Sequence, residues 1–135
     1  MMASSSTSNS GRLVYVIDDD EQRCASTVLL LRSHQITARA FSAGEDFLDE
    51  VACLEPGCIL LDIRMPGLSG VALLKILKQR EVQWPVIVIT GHGEISLAVQ
   101  TTKLGALDFL QKPFLEKELF AVLDTAFELL FNMSS

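Results

Sequence analysis

Short apolar runs alternate along the chain with longer segments in which apolar residues recur every three or four positions. The short runs are rich in branched and aromatic side chains, which favours β-strands. We place strands at 13–17, 36–41, 58–62, 85–90 and 106–110. The runs at 58–62 and 85–90 are almost continuously apolar, which is typical of parallel strands buried on both faces.

The longer segments predict helices, and several carry boundary signals. The first helix is predicted at 24–34. Ser42 and Glu45 form a capping-box pattern before a short second helix, and Ser69 opens a third. The fourth is predicted at 94–104, with Gly105 as its stop. The last begins near Leu115 and carries an apolar stripe of 3.6-residue period.

The first and the last helix are among those with a predicted buried face. On the first, the expected stripe is Val28, Leu29, Leu31 and Arg32. On the last, it is Leu115, Leu119, Val122, Leu123, Ala126, Leu129 and Leu130. A second aromatic line, Phe120, Phe127 and Phe131, either widens this stripe or forms a contact surface for a partner.

This alternation of strands and helices predicts a doubly wound α/β fold, a parallel sheet with helices on both faces. In such folds, ligands bind outside the carboxyl ends of the strands. The residues that end each strand are therefore the candidates for chemistry.

Composition narrows the class of protein. The chain has 135 residues with 49% hydrophobic, enough for the core of one domain. Its net charge of −6 argues against direct nucleic-acid binding, and its apolar runs are too short to span a membrane. Cys24, Cys53 and Cys58 lack a CxxC spacing, so we expect free thiols rather than a disulfide or zinc site.

The chain ends set the domain boundaries. Residues 1–11 are rich in Ser and Thr and predict a disordered tail, the domain is expected over 12–131, and 132–135 form a short C-terminal tail. The first residues lack the apolar stretch of a secretory signal, which favours a cytoplasmic protein.

Polar groups of three kinds end the predicted strands. Asp18 and Asp19 follow the first strand and Asp62 ends the third, while Thr90 ends the fourth and Lys112 follows the fifth. Two carboxylates ~4 Å apart repel by about 4 kcal/mol at an effective dielectric of ~20, so the acidic group calls for a cation. Oxygen ligands favour Mg²⁺. With a lysine and a hydroxyl nearby, this edge suits a phosphoryl group, with Asp62 as the nucleophile.

Four stretches, VIDDDE, LLDIRMPGLSG, VIVITGHGE and ALDFLQKPF, together resemble a two-component response-regulator receiver domain. The IRMPGLSG and ITGHG stretches are similar to the FixJ/NarL-type subgroup, and most to FixJ-like regulators. The resemblance runs from about Leu13 to Phe131. It implies a flavodoxin-like sheet of five parallel strands in the order 2-1-3-4-5, with five helices.

The resemblance also implies residue roles around a metal. Asp62 is the phosphoacceptor, Asp19 binds Mg²⁺ directly, and Asp18 binds it directly or through water. The backbone carbonyl of Arg64 completes the protein ligands, and Lys112 contacts the phosphoryl oxygens. Another divalent ion such as Mn²⁺ could serve in place of Mg²⁺.

Further implied roles concern a conformational switch. Thr90 is the switch hydroxyl and Phe109 the switch aromatic, where phenylalanine allows inward rotation but no hydrogen bond. The peptide bond between Lys112 and Pro113 is expected to be cis. The side chains of Arg64 and His92 either tune the lifetime of the phosphoryl group or are simply solvated. Asp20 has no implied role and is expected to start a helix.

The implied function is signalling rather than enzymatic turnover. A sensor histidine kinase or small phosphodonor phosphorylates Asp62, the 90–112 region switches, and the 94–112 surface forms a homodimer. The resemblance favours a C-terminal DNA-binding domain outside this chain over a stand-alone receiver. Two alternatives remain open, an aspartyl-nucleophile phosphatase of the haloacid dehalogenase type and a phosphorylation-independent interaction module. The first normally places DxDx[TV] after strand one, where this chain has DDDE.

Overall fold

A computed structural model describes residues 12–65, 67–91 and 93–134. The predicted tail at 1–11 lies outside these residues, as do Pro66 and His92. The strands are β1 (Leu13–Ile17), β2 (Thr37–Phe41), β3 (Cys58–Asp62), β4 (Val86–Thr90) and β5 (Asp108–Gln111). The helices are α1 (Glu21–Ser33), α2 (Gly44–Glu50), α3 (Gly70–Gln79), α4 (Ile95–Lys103) and α5 (Glu116–Ser134), with a 3₁₀ turn at Val51–Cys53.

The five strands form one parallel sheet in the order β2-β1-β3-β4-β5, which confirms the predicted fold. The strand order reverses between β1 and β3, and the carboxyl ends of these two strands flank the crevice that such a reversal creates. In the register, Ile17 pairs with Leu61, so the residues after β1 and at the end of β3 are neighbours. The topology therefore brings Asp18 and Asp62 to one place.

Two apolar layers hold the sheet between the helices. On one face, buried residues of β1 and β3 such as Tyr15 and Leu61 pack with Phe47 of α2 and Leu73 of α3. On the other face, Val16 and Leu60 pack with residues of α1 and α5. Since alternate residues of a strand face opposite layers, β3 is buried along its whole length. The phosphoacceptor candidate thus ends the most enclosed strand.

Several predicted boundaries are wrong by a few residues. Helix α1 begins at Glu21 rather than residue 24, because the Asp20 side chain caps it by accepting a bond from the Arg23 amide. Strand β5 runs over Asp108–Gln111 instead of 106–110. Helix α5 continues to Ser134, into the segment 132–135 that was predicted as a tail.

Of the two serine helix caps predicted from the sequence, one is confirmed and one is wrong. Ser69 caps α3, its hydroxyl accepting a hydrogen bond from the Ala72 amide at 3.2 Å. Ser42 does not cap α2; the cap residue is Ala43, which makes no side-chain bond. The helix starts one residue later than the Ser42 pattern requires, so that hydroxyl is out of position for the free amides.

The predictions of which residues form the buried faces of α1 and α5 are partly wrong. On α1, Leu31 is buried but Leu29 is 72% exposed. On α5, Phe127 is buried while Leu129 is exposed, and Leu115, which directly precedes the helix, is exposed as well. Phe127 lies four residues after Leu123 and so shares its face, whereas Leu129 lies on the far side. The aromatic line is therefore divided: Phe127 belongs to the core, Phe120 is half-buried and stacks on His34, and Phe131 is 49% exposed.

Two expectations from composition can be compared with the described residues. Cys24 and Cys58 are buried, Cys53 is exposed, and all three are free thiols, as predicted. Within the described ranges, no helix is both long and apolar enough to cross a membrane.

Candidate functional site

The loop after β1 is folded by its own aspartates. The Asp20 amide donates to Asp18 Oδ1 at 2.9 Å, and Asp20 Oδ1 accepts from the Arg23 amide at 3.0 Å. Such side-chain bonds to nearby amides stabilise tight turns and helix starts. They fix Asp18 at the strand end and confirm that Asp20 starts a helix. The Arg23 amide bond also lowers the pKa of Asp20.

Asp62 occupies the carboxyl end of β3, with its side chain only 6% exposed. The amide of Arg64 donates to its Oδ1 at 3.1 Å, because the chain turns sharply after the strand. The Nζ atom of Lys112 lies 3.9 Å from its Oδ2. Asp62 is thus a nearly buried carboxylate with a lysine beside it.

Three carboxylates meet at this edge. Asp18, Asp19 and Asp62 each offer an oxygen, and these oxygens lie within 4.8 Å of one another. Charges this close repel, and a hard divalent cation is the natural partner of an all-oxygen group. The donor set therefore fits Mg²⁺, which would be held by these carboxylates and would neutralise phosphoryl oxygens.

Arg23 is one of the site residues that the sequence did not predict. Its Nη2 donates to Asp18 Oδ1 at 2.9 Å and to Asp62 Oδ2 at 2.8 Å, and its Nε donates to Asp18 Oδ2 at 3.1 Å. These carboxylates, with Asp18 first, raise the pKa of Arg23. The predicted helix began at residue 24, which left Arg23 in an unassigned loop. With the helix starting at Glu21, Arg23 lies in the first turn and reaches across the pocket.

The remaining strand ends are placed differently. The amide of Lys112 donates to the Thr90 carbonyl at 2.8 Å, and the bond between Lys112 and Pro113 is cis, as expected. Thr90 is fully buried, and its hydroxyl donates to the Leu110 carbonyl at 3.5 Å. Phe109 is half-buried against the layer that contains Tyr15 and Leu61. Thr90 therefore lies next to the pocket but does not line it.

Glu94 was also missed as a site residue. Its Oε1 accepts a hydrogen bond from the Gly91 amide at 2.7 Å, and its Oε2 pairs with the Arg64 side chain. The Glu94 side chain is 10% exposed. This carboxylate connects the loop after β3 to the loop after β4. The only sequence signal was its position at the predicted start of a helix.

These groups surround an open cavity of about 550 Å³. Its lining comprises Asp19, Asp20, Arg23, Asp62, Arg64, Gly91, Glu94 and Lys112. Lys112 and Arg23 face the acidic side chains across it. The cavity combines the nearly buried carboxylate of Asp62, other acidic side chains and fixed cations, which suits transfer of a phosphoryl group.

Burial raises the pKa of Asp62, and the Arg64 amide, Lys112 and Arg23 offset this only in part. Because the carboxyl group of Asp62 binds its proton more tightly in the folded protein than in the unfolded chain, the folded protein loses stability as pH rises from the ordinary pKa through the raised one. We therefore expect Asp62→Asn, measured in EDTA at neutral pH, to have a higher unfolding midpoint than the wild type. The difference should shrink as pH falls toward the ordinary value of 3.8. A lower midpoint for the variant at neutral pH would mean that the ion pairs of Asp62 in the wild type stabilise the fold by more than the burial of its charge costs.

Comparison with known proteins agrees with this architecture. The family model of the response regulator receiver domain matches residues 14–124. The transcriptional regulatory protein FixJ of Bradyrhizobium diazoefficiens is 43% identical over 113 residues, covering 84% of this chain and 55% of FixJ. The C4-dicarboxylate transport transcriptional regulatory protein DctR of Rhodobacter capsulatus is 44% identical over 103 residues, covering 75% of this chain and 52% of DctR.

Solved structures show the same relationship. Full-length FixJ from B. japonicum superposes with a TM-score of 0.84 at 42% identity, covering 87% of this chain and 58% of FixJ. FixJ-N gives a TM-score of 0.83 at 34% identity, covering 86% of this chain and 93% of FixJ-N. The chain spans about half the length of the curated relatives it matches. It belongs to the response regulator receiver domain family, as a receiver of the FixJ type.

Proposed function

We propose that Asp62 is the residue that accepts the phosphoryl group by which this receiver signals. The observation that carries the proposal is its position, a nearly buried carboxylate at the strand end that opens into the acidic cavity beside Lys112. An Asp62 oxygen forms a bond to phosphorus while the bond between phosphorus and the donor breaks, and the donor leaves with that electron pair. Lys112 stabilises the charge on the phosphoryl oxygens.

We assign the metal ligands to the carboxylates of Asp18, Asp19 and Asp62 and to the Arg64 carbonyl. The support is the grouping of the three carboxylate oxygens and the turn that places Arg64 directly after β3. Bound there, Mg²⁺ supplies charge neutralisation for the incoming phosphoryl group. Mn²⁺ satisfies the same donor set.

The switch is proposed to run from Thr90 to β5. The Thr90 hydroxyl bonds the Leu110 carbonyl at 3.5 Å, a long bond that costs little to break. Thr90 turns toward the phosphoryl oxygens, and Phe109 rotates into the space beside it. The 94–112 surface then forms a homodimer. Ile95 and Val99 of α4 are 47% and 45% exposed there, which leaves apolar surface for such a contact.

The partners follow from the family. A sensor histidine kinase is the proposed donor, with a small phosphodonor as substitute. This chain matches only about half of the length of the relatives named as transcriptional regulators, which supports an output domain that binds DNA beyond it. The protein itself is proposed to act in the cytoplasm as a signalling module and not as an enzyme.

The test is incubation with acetyl phosphate and Mg²⁺, followed by intact-mass measurement. We expect the mass of one phosphoryl group to be added, to be lost on treatment with hydroxylamine, which cleaves acyl phosphates, and to be absent in EDTA. No gain in mass with Mg²⁺ present would overturn the proposal. Sedimentation velocity on the same samples tests dimerisation, and an unchanged monomer after phosphorylation would reject only that part.

A further inference from the structure

The side chain of Arg23 lies in the acidic pocket itself. Resting on the phosphoacceptor role proposed for Asp62, we propose that Arg23 is an internal cation that competes with Mg²⁺ for this pocket, so that metal binding displaces its side chain. The residue would then set the metal affinity of the receiver. It would also determine how much of the protein is ready for phosphorylation at a given Mg²⁺ concentration.

The hydrogen bonds of Arg23 engage the oxygens that a metal requires. Both oxygens of Asp18 accept from its guanidinium, and so does Oδ2 of Asp62. The other Asp62 oxygen accepts from the Arg64 amide. A cation held by Asp18 and Asp62 needs these same oxygens, and a guanidinium and a divalent ion on one oxygen repel each other. The two cations are therefore alternatives.

Arg23 contacts the carboxylate of Asp62 more closely than Lys112 does. Lys112 Nζ is 3.9 Å from Asp62 Oδ2, beyond hydrogen-bond distance, whereas Arg23 Nη2 is 2.8 Å from the same atom. Planar guanidinium groups bind two carboxylates in fixed geometry, which an ammonium group cannot do. In the metal-free pocket, Arg23 therefore offsets much of the repulsion between Asp18 and Asp62.

A carboxylate partner for the displaced side chain lies at the edge of the pocket. The Arg23 side chain is 45% exposed, and its Nη1 lies 3.6 Å from Oδ2 of Asp20, which is 44% exposed. Asp20 already holds the Arg23 backbone through the helix cap. The side chain can leave the pocket and keep a carboxylate partner at the surface.

A purely structural ion pair would make the same contacts, so the test must separate the two roles. Mg²⁺ binding is measured by NMR, following the amide of Arg64, which bonds Asp62 directly. We expect Arg23→Gln to bind Mg²⁺ about 10-fold more tightly than the wild type. Arg23→Lys should fall between them, because lysine keeps the charge without the two-carboxylate geometry. In EDTA, Arg23→Gln should unfold at lower temperature, and Mg²⁺ should raise its midpoint more than that of the wild type.

Arg39→Gln is the matched control, since Arg39 is 50% exposed and pairs with Glu50 outside the pocket. It removes the same charge and should leave Mg²⁺ affinity within about 2-fold of the wild type. Equal affinity in Arg23→Gln and wild type overturns the competition, as does an equal gain in Arg39→Gln. If Arg23→Gln does not fold, the same comparison is made with Arg23→Lys.

The outcome also separates the two proposals. If the wild type is phosphorylated and Arg23→Gln binds Mg²⁺ no more tightly, only the role of Arg23 fails. If neither protein binds Mg²⁺ nor takes up phosphate, the phosphoacceptor proposal fails as well.

Discussion

Asp62→Asn is expected to reduce phosphoryl uptake from acetyl phosphate by at least ~100-fold, because the substitution removes the proposed nucleophile. An amide has nearly the shape of the carboxylate but lacks the charged oxygen that attacks phosphorus. The Asp62 side chain is nearly buried and lies beside Arg64, Lys112 and Arg23. Incorporation is measured as the rate at which the phosphorylated mass appears with Mg²⁺ in excess.

The control is Asp49→Asn, which changes an exposed aspartate of α2 by the same atoms. It should be phosphorylated at the wild-type rate. Loss of uptake in both variants would point to a general effect of charge, and full uptake in Asp62→Asn would place the phosphoryl group on another residue. Since Asp62→Asn is also expected to unfold at higher temperature, a loss of uptake is separable from a loss of structure.

The common location of Asp18, Asp19, Asp62 and Lys112 could be predicted because it follows from topology. Parallel strands place all their carboxyl ends at one edge, and the switch point brings β1 and β3 together. Strong apolar runs such as CILLD identify the strands without knowledge of tertiary contacts. The candidate residues then need only to follow those runs in the chain.

Features that depend on side-chain direction could not be predicted in the same way. Whether Arg23 reaches Asp62 depends on the residue at which α1 begins, and a boundary three residues late concealed the contact. The Thr90 hydroxyl faces β5 instead of the pocket, which its place at a strand end does not reveal. On α5, Phe127 and Leu129 are both apolar, and only packing decides that Phe127 faces the sheet. Periodicity in the sequence predicts the strands and helices, whereas side-chain rotamers and the residues at which helices begin decide which side chains are in contact.

The second large effect is expected from Gly70→Ala, at the first residue of α3. A Cβ atom there would lie 2.8 Å from the Ile63 Cα atom and 3.1 Å from the Asp62 carbonyl oxygen. The Gly70 amide also donates to the Ile63 carbonyl at 3.1 Å. The start of the helix is therefore bound to the same loop that the added Cβ atom would displace. These neighbours are backbone atoms, which no side-chain rotation can move away. The substitution should lower the free energy of unfolding by about 1–3 kcal/mol, the usual cost of overpacking.

Because the crowded backbone belongs to Asp62 and its successor, the same substitution should impair phosphorylation. Small displacements of a reacting group lower rates steeply, and we expect uptake in Gly70→Ala to slow by ~10-fold or more. Urea unfolding and the rate of phosphoryl incorporation measure the two effects separately. Wild-type stability together with a wild-type rate would show that the close approach places no constraint on Asp62.

Gly44→Ala provides the matched control, since Gly44 is also buried and also begins a helix. Its added Cβ atom would lie 3.2 Å from a terminal methyl carbon of the Leu68 side chain, which can rotate. We expect its stability to stay within about 1 kcal/mol of the wild type and its phosphorylation rate to be unchanged. A difference between the two glycine variants would show that the start of α3 holds the proposed phosphoacceptor Asp62 in place. Glycine at position 70 is then a requirement of the site and not only of the helix.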